Sequence, residues 1–315
     1  MKPAFALLLT SFLAGAGATY TISDNVVGSK FFDFFEFEAI PDPTNGRVNY
    51  VNETVARSQH LAYAQGPHGS FTLRADSKTV LDPNGPGRNS WRIKSKKTYT
   101  THVAIFDIIH MPEGCGTWPG IREKNEAKGN GGGLIDMLEG VNNLEPNLAT
   151  LHTNPGCTMP AERNQTGTNQ NLDCNQLLSD SSGCGVSFPS SGSYGPSMNQ
   201  NGGAIYAIER TPTYIKIFFW TRYGNIPVDV REGASIIDTD RWGTPVAYFP
   251  DTSCNMADHF IDHNILISMT FCGGWAGGSA YEQAGCPSTC VDFVNNNPQA
   301  FTNAYFEFGS IRVYQ

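Results

Sequence analysis

Charge is scarce in this chain. Asp, Glu, Lys and Arg make up 16% of the 315 residues, and the acids outnumber the bases by 29 to 21. The formal charge of −8 leaves no basic face for nucleic acid or an anionic membrane, which excludes both as expected partners. After the first 18 residues, no segment approaches the roughly 18 uninterrupted apolar residues that a membrane-spanning helix needs. Amphipathic periodicity sustained over about 12 residues is missing too, so a helical bundle is excluded. No C-x-x-C pair occurs, and Cys286-Pro-Ser-Thr-Cys290 has neither zinc nor redox spacing, which argues against a metal centre. There is no G-x-S-x-G, and hence no serine nucleophile elbow. The Gly131-Gly132-Gly133 run precedes a strand and lacks a following Lys-Ser/Thr, which rules out a phosphate loop. No cofactor is expected.

What is present points outward from the cell. Met1-Lys2, an apolar run from Pro3 to Leu13 and the small residues Ala16-Gly17-Ala18 have the form of a secretory signal peptide over residues 1–18. Cleavage after Ala18 would leave one domain, residues 19–315, soluble and secreted to the extracellular space or cell wall. Eight cysteines in an exported chain favour disulfides, with their connectivity open. Two sequons, at Asn52 and Asn164, offer N-glycosylation sites. The composition, with 33 Gly, 19 Pro and 11% aromatics, suits a turn-rich, all-β chain.

Strand signals recur from end to end: Phe31 to Glu38, Tyr99 to Ile109, Tyr214 to Trp220, Ile265 to Phe271 and Tyr305 to Tyr314. The last alternates, with Tyr305, Glu307, Gly309, Ile311 and Val313 on one face and Phe306, Phe308, Ser310, Arg312 and Tyr314 on the other. One antiparallel β-sandwich closed by this C-terminal strand follows. Residues 159–203 and 120–133 read as long loops, the first holding Cys174 and Cys184, which a disulfide would staple together.

The chemistry concentrates in Leu134-Ile135-Asp136-Met137-Leu138-Glu139. Two carboxylates in a short apolar strand are expensive unless paired or put to use. Strand geometry puts 134, 136 and 138 on one face. Glu139 joins them only if Met137 or Leu138 bulges out of the ladder. His60, His68, His102, His110, His259 and His263 form no cluster by spacing and read as structural.

These features, with the segments DPTNGRVNYV (42–51), GPGRNSWRIKSKKTYTTHVAIFDIIHMPEGCGTWPG (85–120), IDMLEGVNN (135–143), LHTNPGCTM (151–159), GCPSTCVDFVNNN (285–297) and FTNAYFEFGSIRVYQ (301–315), resemble fungal glycoside hydrolase family 16 proteins of the laminarinase-like group, the endo-1,3(4)-β-glucanases. The resemblance implies a concanavalin A-like β-jelly roll with a β-glucan cleft across its concave sheet, and a monomer. It implies a retaining mechanism on a Glu-x-Asp-x-x-Glu motif. Carried onto this chain, Glu139 matches the acid/base and Asp136 the auxiliary acid, while Leu134 stands at the nucleophile position. Retaining hydrolysis needs a second carboxylate about 5–5.5 Å from the acid. Leucine supplies none, so double displacement is expected to fail.

Two further departures accompany Leu134. The family's aromatic stretch after Trp118-Pro119 is replaced by Gly120 to Asn130, without an aromatic, and its Glu-Trp-Thr becomes Glu209-Arg210-Thr211. Trp275 matches a cleft tryptophan that binds substrate, and His152 a histidine near the acid/base, expected to tune it by hydrogen bonding. The expected class is a β-glucan hydrolase by descent. A non-catalytic, lectin-like glucan binder and a wall-associated structural protein are the alternatives.

Overall fold

The computed structural model describes residues 18–66, 69–178 and 182–315. The signal segment, except Ala18, and His68 lie outside the described residues. Two antiparallel sheets face each other across a continuous apolar core. One has the order Ile236–Asp238, Thr19–Val26, Tyr305–Tyr314, His102–His110, Ala204–Arg210, Tyr214–Thr221, Ala247–Pro250, with Phe71–Arg74 and Ala62–Ala64 branching from Tyr305–Tyr314. The other runs Thr168–Asn169, Cys184–Ser187, Leu148–His152, Leu134–Glu139, Thr117–Lys124, Asn264–Phe271, Arg92–Ser95, Phe35–Phe37. This is the antiparallel sandwich that the strand pattern implies, in the jelly-roll form that the family resemblance implies. Among the described residues no α-helix exceeds the seven residues of Cys290–Asn296, and no helix is long and apolar enough to cross a membrane.

Alternation builds the core. Ile121, Ile135, Ile265, Ile267 and Met269 of the eight-stranded sheet meet Phe106, Tyr206, Ile208, Phe306 and Phe308 of the other. Each such large apolar side chain contributes about 1.5–3 kcal/mol by leaving water. The C-terminal strand spans Tyr305–Tyr314 as expected, but its faces are not constant. Its pairing with His102–His110 slips between Phe308 and Ser310. Phe306 and Phe308 therefore point into the same core as Ile311 and Val313. Gly309 marks the slip, where a Cβ would stand 2.6 Å from an Asp107 carboxylate oxygen. Phe31 to Glu38 also departs from the expected single strand. Lys30–Phe34 is helical, which stacks Phe31 on Phe35 one turn later, and only Phe35–Phe37 pairs in a sheet.

All eight cysteines are paired, as Cys115–Cys286, Cys157–Cys254, Cys174–Cys184 and Cys272–Cys290. The third staples the 159–203 region, as expected.

Directly behind the acid strand lies a buried ionic cluster that residue spacing had not suggested. Glu123 points into the sandwich, where His102 Nε2 lies 2.8 Å and Arg210 Nη1 3.4 Å from its carboxylate. Burial alone would push the Glu123 carboxyl up. The His102 ring and the Arg210 guanidinium outweigh it and hold the carboxyl at about 2. Arg210 also donates to the carbonyls of Phe260 and Ile261, and His263 Nε2 contacts the carbonyl of Gly132. His102 and His263 are thus core histidines, as expected, but they gather around one carboxylate. Removing one side of a buried ion pair strands the other charge, at a cost of about 3–5 kcal/mol. Glu123→Leu and Arg210→Leu should each lose that much in denaturant unfolding, and the double replacement less than their sum. Strictly additive losses would show the pair to be uncoupled.

Candidate functional site

The acid strand runs antiparallel between Thr117–Lys124 and Leu148–His152. Asp136 sits opposite Arg122 and Leu138 opposite Ile121, so Met137 is the extra residue of a bulge. Of the two candidates, Met137 is thus the bulged one. The bulge turns Glu139 to the outer face beside Asp136, while Met137 and Leu138 are both buried in the core. Asn147 holds it open: its Oδ1 accepts from the Glu139 backbone N at 2.9 Å and its Nδ2 donates to the Met137 carbonyl at 3.0 Å. Those are backbone groups that the broken ladder would otherwise leave unpaired. Gly140 follows because the Tyr194 ring lies against the backbone, where a Cβ would come within 2.6 Å of it.

One cation serves both acids. Arg122 Nη2 donates to Glu139 Oε1 at 3.0 Å, and its Nε stands 3.1 Å from Asp136 Oδ1. The second contact is an ion pair without hydrogen-bond alignment. Trp118 Nε1 donates to the same Glu139 oxygen at 2.9 Å. The Trp118 ring meets that of Trp275 edge to face, with centroids 5.5 Å apart. Trp275 rides on the short helix Gly273–Ala276, fixed by the Cys272–Cys290 disulfide and by Asn142 Nδ2 donating to Ala276 O at 2.8 Å. His152 Nε2 stands 3.5 Å from Asp136 Oδ2. His152 thus stands against Asp136, and its charge also acts on Glu139. Leu134, half-buried, pairs in register with Lys124 on one side and His152 on the other.

Of the expected residues, Asp136, Glu139, Trp275 and His152 lie in one locality with Leu134 at its edge. The sequence reading missed Arg122, Asn147 and the hydrogen bond of Trp118. It had placed Arg122 in a loop, whereas Gly120 to Lys124 continue the strand Thr117–Lys124. The alternation of Arg122 and Lys124 against Ile121 and Glu123 was the available signal.

The electrostatics follow from burial. Asp136 is raised above the usual range, burial outweighing the opposing charges of Arg122 and Lys124. Glu139 is pushed up to about 7 by burial and then by the Asp136 charge, against Arg122, the Trp118 hydrogen bond and His152. The site holds a proton-donating carboxyl near neutral pH beside an aromatic wall. Among the described residues, no group of three or more His, Cys, Asp or Glu is arranged to hold a metal ion.

Comparison with known proteins agrees with this geometry. Residues 35–314 match the model of the XgeA-like, catalytic GH16 domain. The chain belongs to glycoside hydrolase family 16. A probable glycosidase of Schizosaccharomyces pombe is 40% identical over 94% of this chain and 70% of its own length. A probable endo-1,3(4)-β-glucanase of Aspergillus flavus is 38% identical over 99% of this chain but 47% of its own, so this chain spans about half of that relative. Among solved structures, the family 16 laminarinase 16A of Phanerochaete chrysosporium, with 6-O-glucosyl-laminaritriose in its donor and acceptor sites, superposes with a TM-score of 0.93. That match is 53% identical and covers 95% of this chain and all of the other.

The raised Glu139 carboxyl links stability to pH. Its value is about 7 in the fold against 4.5 when unperturbed, so between those values the native state keeps a proton that the unfolded chain has released. This group's contribution to stability therefore falls as pH rises from about 4.5 to about 7 and is flat above. Glu139→Gln has no such proton to hold. It should gain on the wild type by about 1–3 kcal/mol across that window in thermal unfolding. A pH-independent difference would mean that Glu139 titrates near its ordinary value.

Proposed function

We propose that this family 16 protein is exported and engages 1,3- or mixed 1,3/1,4-β-glucan over its acid strand without completing retaining hydrolysis. The observation that carries this reading is position 134, where a leucine lies in register with Lys124 and His152 at the place of the nucleophile. Export is supported by the signal-like residues 1–18 and by the four disulfides. The relatives named as endo-1,3(4)-β-glucanases and the laminarinase that holds a β-glucan support the substrate class.

The geometry divides the reaction in two. Glu139, with its carboxyl at about 7, is protonated in mildly acidic surroundings and reaches outward to give its proton to a glycosidic oxygen. Nothing at position 134 captures the anomeric carbon, whose developing positive charge needs a carboxylate beneath it. Arg122 adds a further obstacle, because its guanidinium counters the charge of Asp136, the carboxylate that would otherwise help to stabilise that carbon. Trp118 and Trp275 retain half-exposed ring surface for the C–H faces of a pyranose. Binding is the function that this set of residues can still perform.

Laminarin hydrolysis by the unmodified chain should be undetectable in a reducing-end assay, whereas migration on laminarin-containing native gels should be retarded. Vigorous cleavage with retention of configuration would require another nucleophile and overturn the reading. An unretarded band would leave the wall-associated structural role instead. Leu134→Glu alone should leave turnover at least about two orders of magnitude below that of the Phanerochaete laminarinase, because Arg122 still lies among the acids. Combining it with Arg122→Trp should raise turnover above the single variant.

A further inference from the structure

The outer face of the eight-stranded sheet carries a straight row of residues across its strands. In register these are Thr150, Asp136, Arg122, Leu266, Lys94 and Glu36. A glucan lying over Asp136 and Glu139 has two ways to continue, toward Leu148–His152 or toward Asn264–Phe271 and Arg92–Ser95. The second way is built over. Leu266 faces outward in that row, apart from the core, yet is fully buried. Above this stretch the segment 125–133 crosses from the acid strand, and Glu126 contacts Arg92, with its second oxygen 3.9 Å from Lys94 Nζ. Glu38 completes the lattice at 2.9 Å from Arg92 and 2.6 Å from Lys94. The Arg92 side chain is only 4% exposed. The segment is fixed at both ends, with Asn125 Nδ2 donating to Asp262 O at 2.9 Å and the Gly132 carbonyl on His263.

We propose that Glu126 is a strap that closes one arm of the glucan site, so that this chain takes the end of a β-glucan or a short gluco-oligosaccharide rather than the interior of a long chain. The inference rests on the glucan-binding reading above. A pyranose seated between Arg122 and Lys94 would have to displace Glu126. Its hydroxyls offer hydrogen bonds but no charge, and the nearly buried Arg92 guanidinium would lose one of its two carboxylate partners, so the exchange is unfavourable. Glu126 comes from the same departing segment that lacks the family's aromatics. That segment thus brings no aromatic to this arm and brings an ion pair instead.

Titration calorimetry of the whole chain with laminari-oligosaccharides of increasing length, up to laminariheptaose, tests the strap. Wild-type affinity should stop rising after the first few units. In Glu126→Ala it should go on rising, by roughly tenfold at the longest probe, as the freed arm adds contacts. Glu126→Gln, which keeps the shape but not the charge, should fall between them, and it serves as the reading if the alanine variant does not fold. Wild type and variant sharing one rising length dependence would overturn the strap and leave the glucan-binding reading intact. A wild-type chain that binds no oligosaccharide of any length would overturn both.

Discussion

The site is organised by one guanidinium shared between two carboxyls. Asp136 and Glu139 are nearly without solvent, and two uncompensated carboxylates so placed would not both ionise. Arg122 reaches each of them from the neighbouring strand, in register with Asp136. It makes the acid strand tolerable without a second row of solvent or substrate contacts. The same contact sets the chemical character of the place. It puts a fixed positive charge between the two acids on the outer face of the sheet.

Much of this was legible in the sequence, and for physical reasons. Alternation marks a strand whichever neighbours it acquires, so the sandwich and the exact span of Tyr305–Tyr314 could be read directly. The bulge was legible because Glu139 has the wrong parity to share a face with Asp136 unless one residue is extruded. Contacts made across strands were not legible. Asn147 clamps the bulge from eight residues away, and Arg122 joins the acids only because Thr117–Lys124 continues five residues into what looked like a polar loop. The helix at Lys30–Phe34 was hidden for a related reason: a run of aromatics buries equally well with either period, and the Phe31–Phe35 stack decided for the helical one.

The departures from the family pattern are not independent of one another. Glu123 and Arg210 are 87 residues apart and each lies at a position of departure, yet their side chains meet in the core behind the acid strand. An arginine there without Glu123 would be a buried charge held by backbone carbonyls alone, and Glu123 without Arg210 would keep only its histidines. On the other side of the same strand segment, Arg122 meets the acids. Successive residues of one strand therefore feed charge to both faces of the sheet, and each charge has a partner waiting. Such reciprocity is what a segment folded together with the rest of its chain displays.

The Trp275 side of the site has a different basis from the sandwich. Its helices, Gly273–Ala276 and Ser279–Gln283, are short, and the apolar cluster beneath them is small, centred on Val141, Ala276 and Ala280. Two cystines, Cys272–Cys290 and Cys115–Cys286, secure it to the sheet. The two halves of the site are therefore held by different kinds of bond: the acid strand by the continuous apolar core of the sandwich, the tryptophan wall by covalent links around a small cluster of its own.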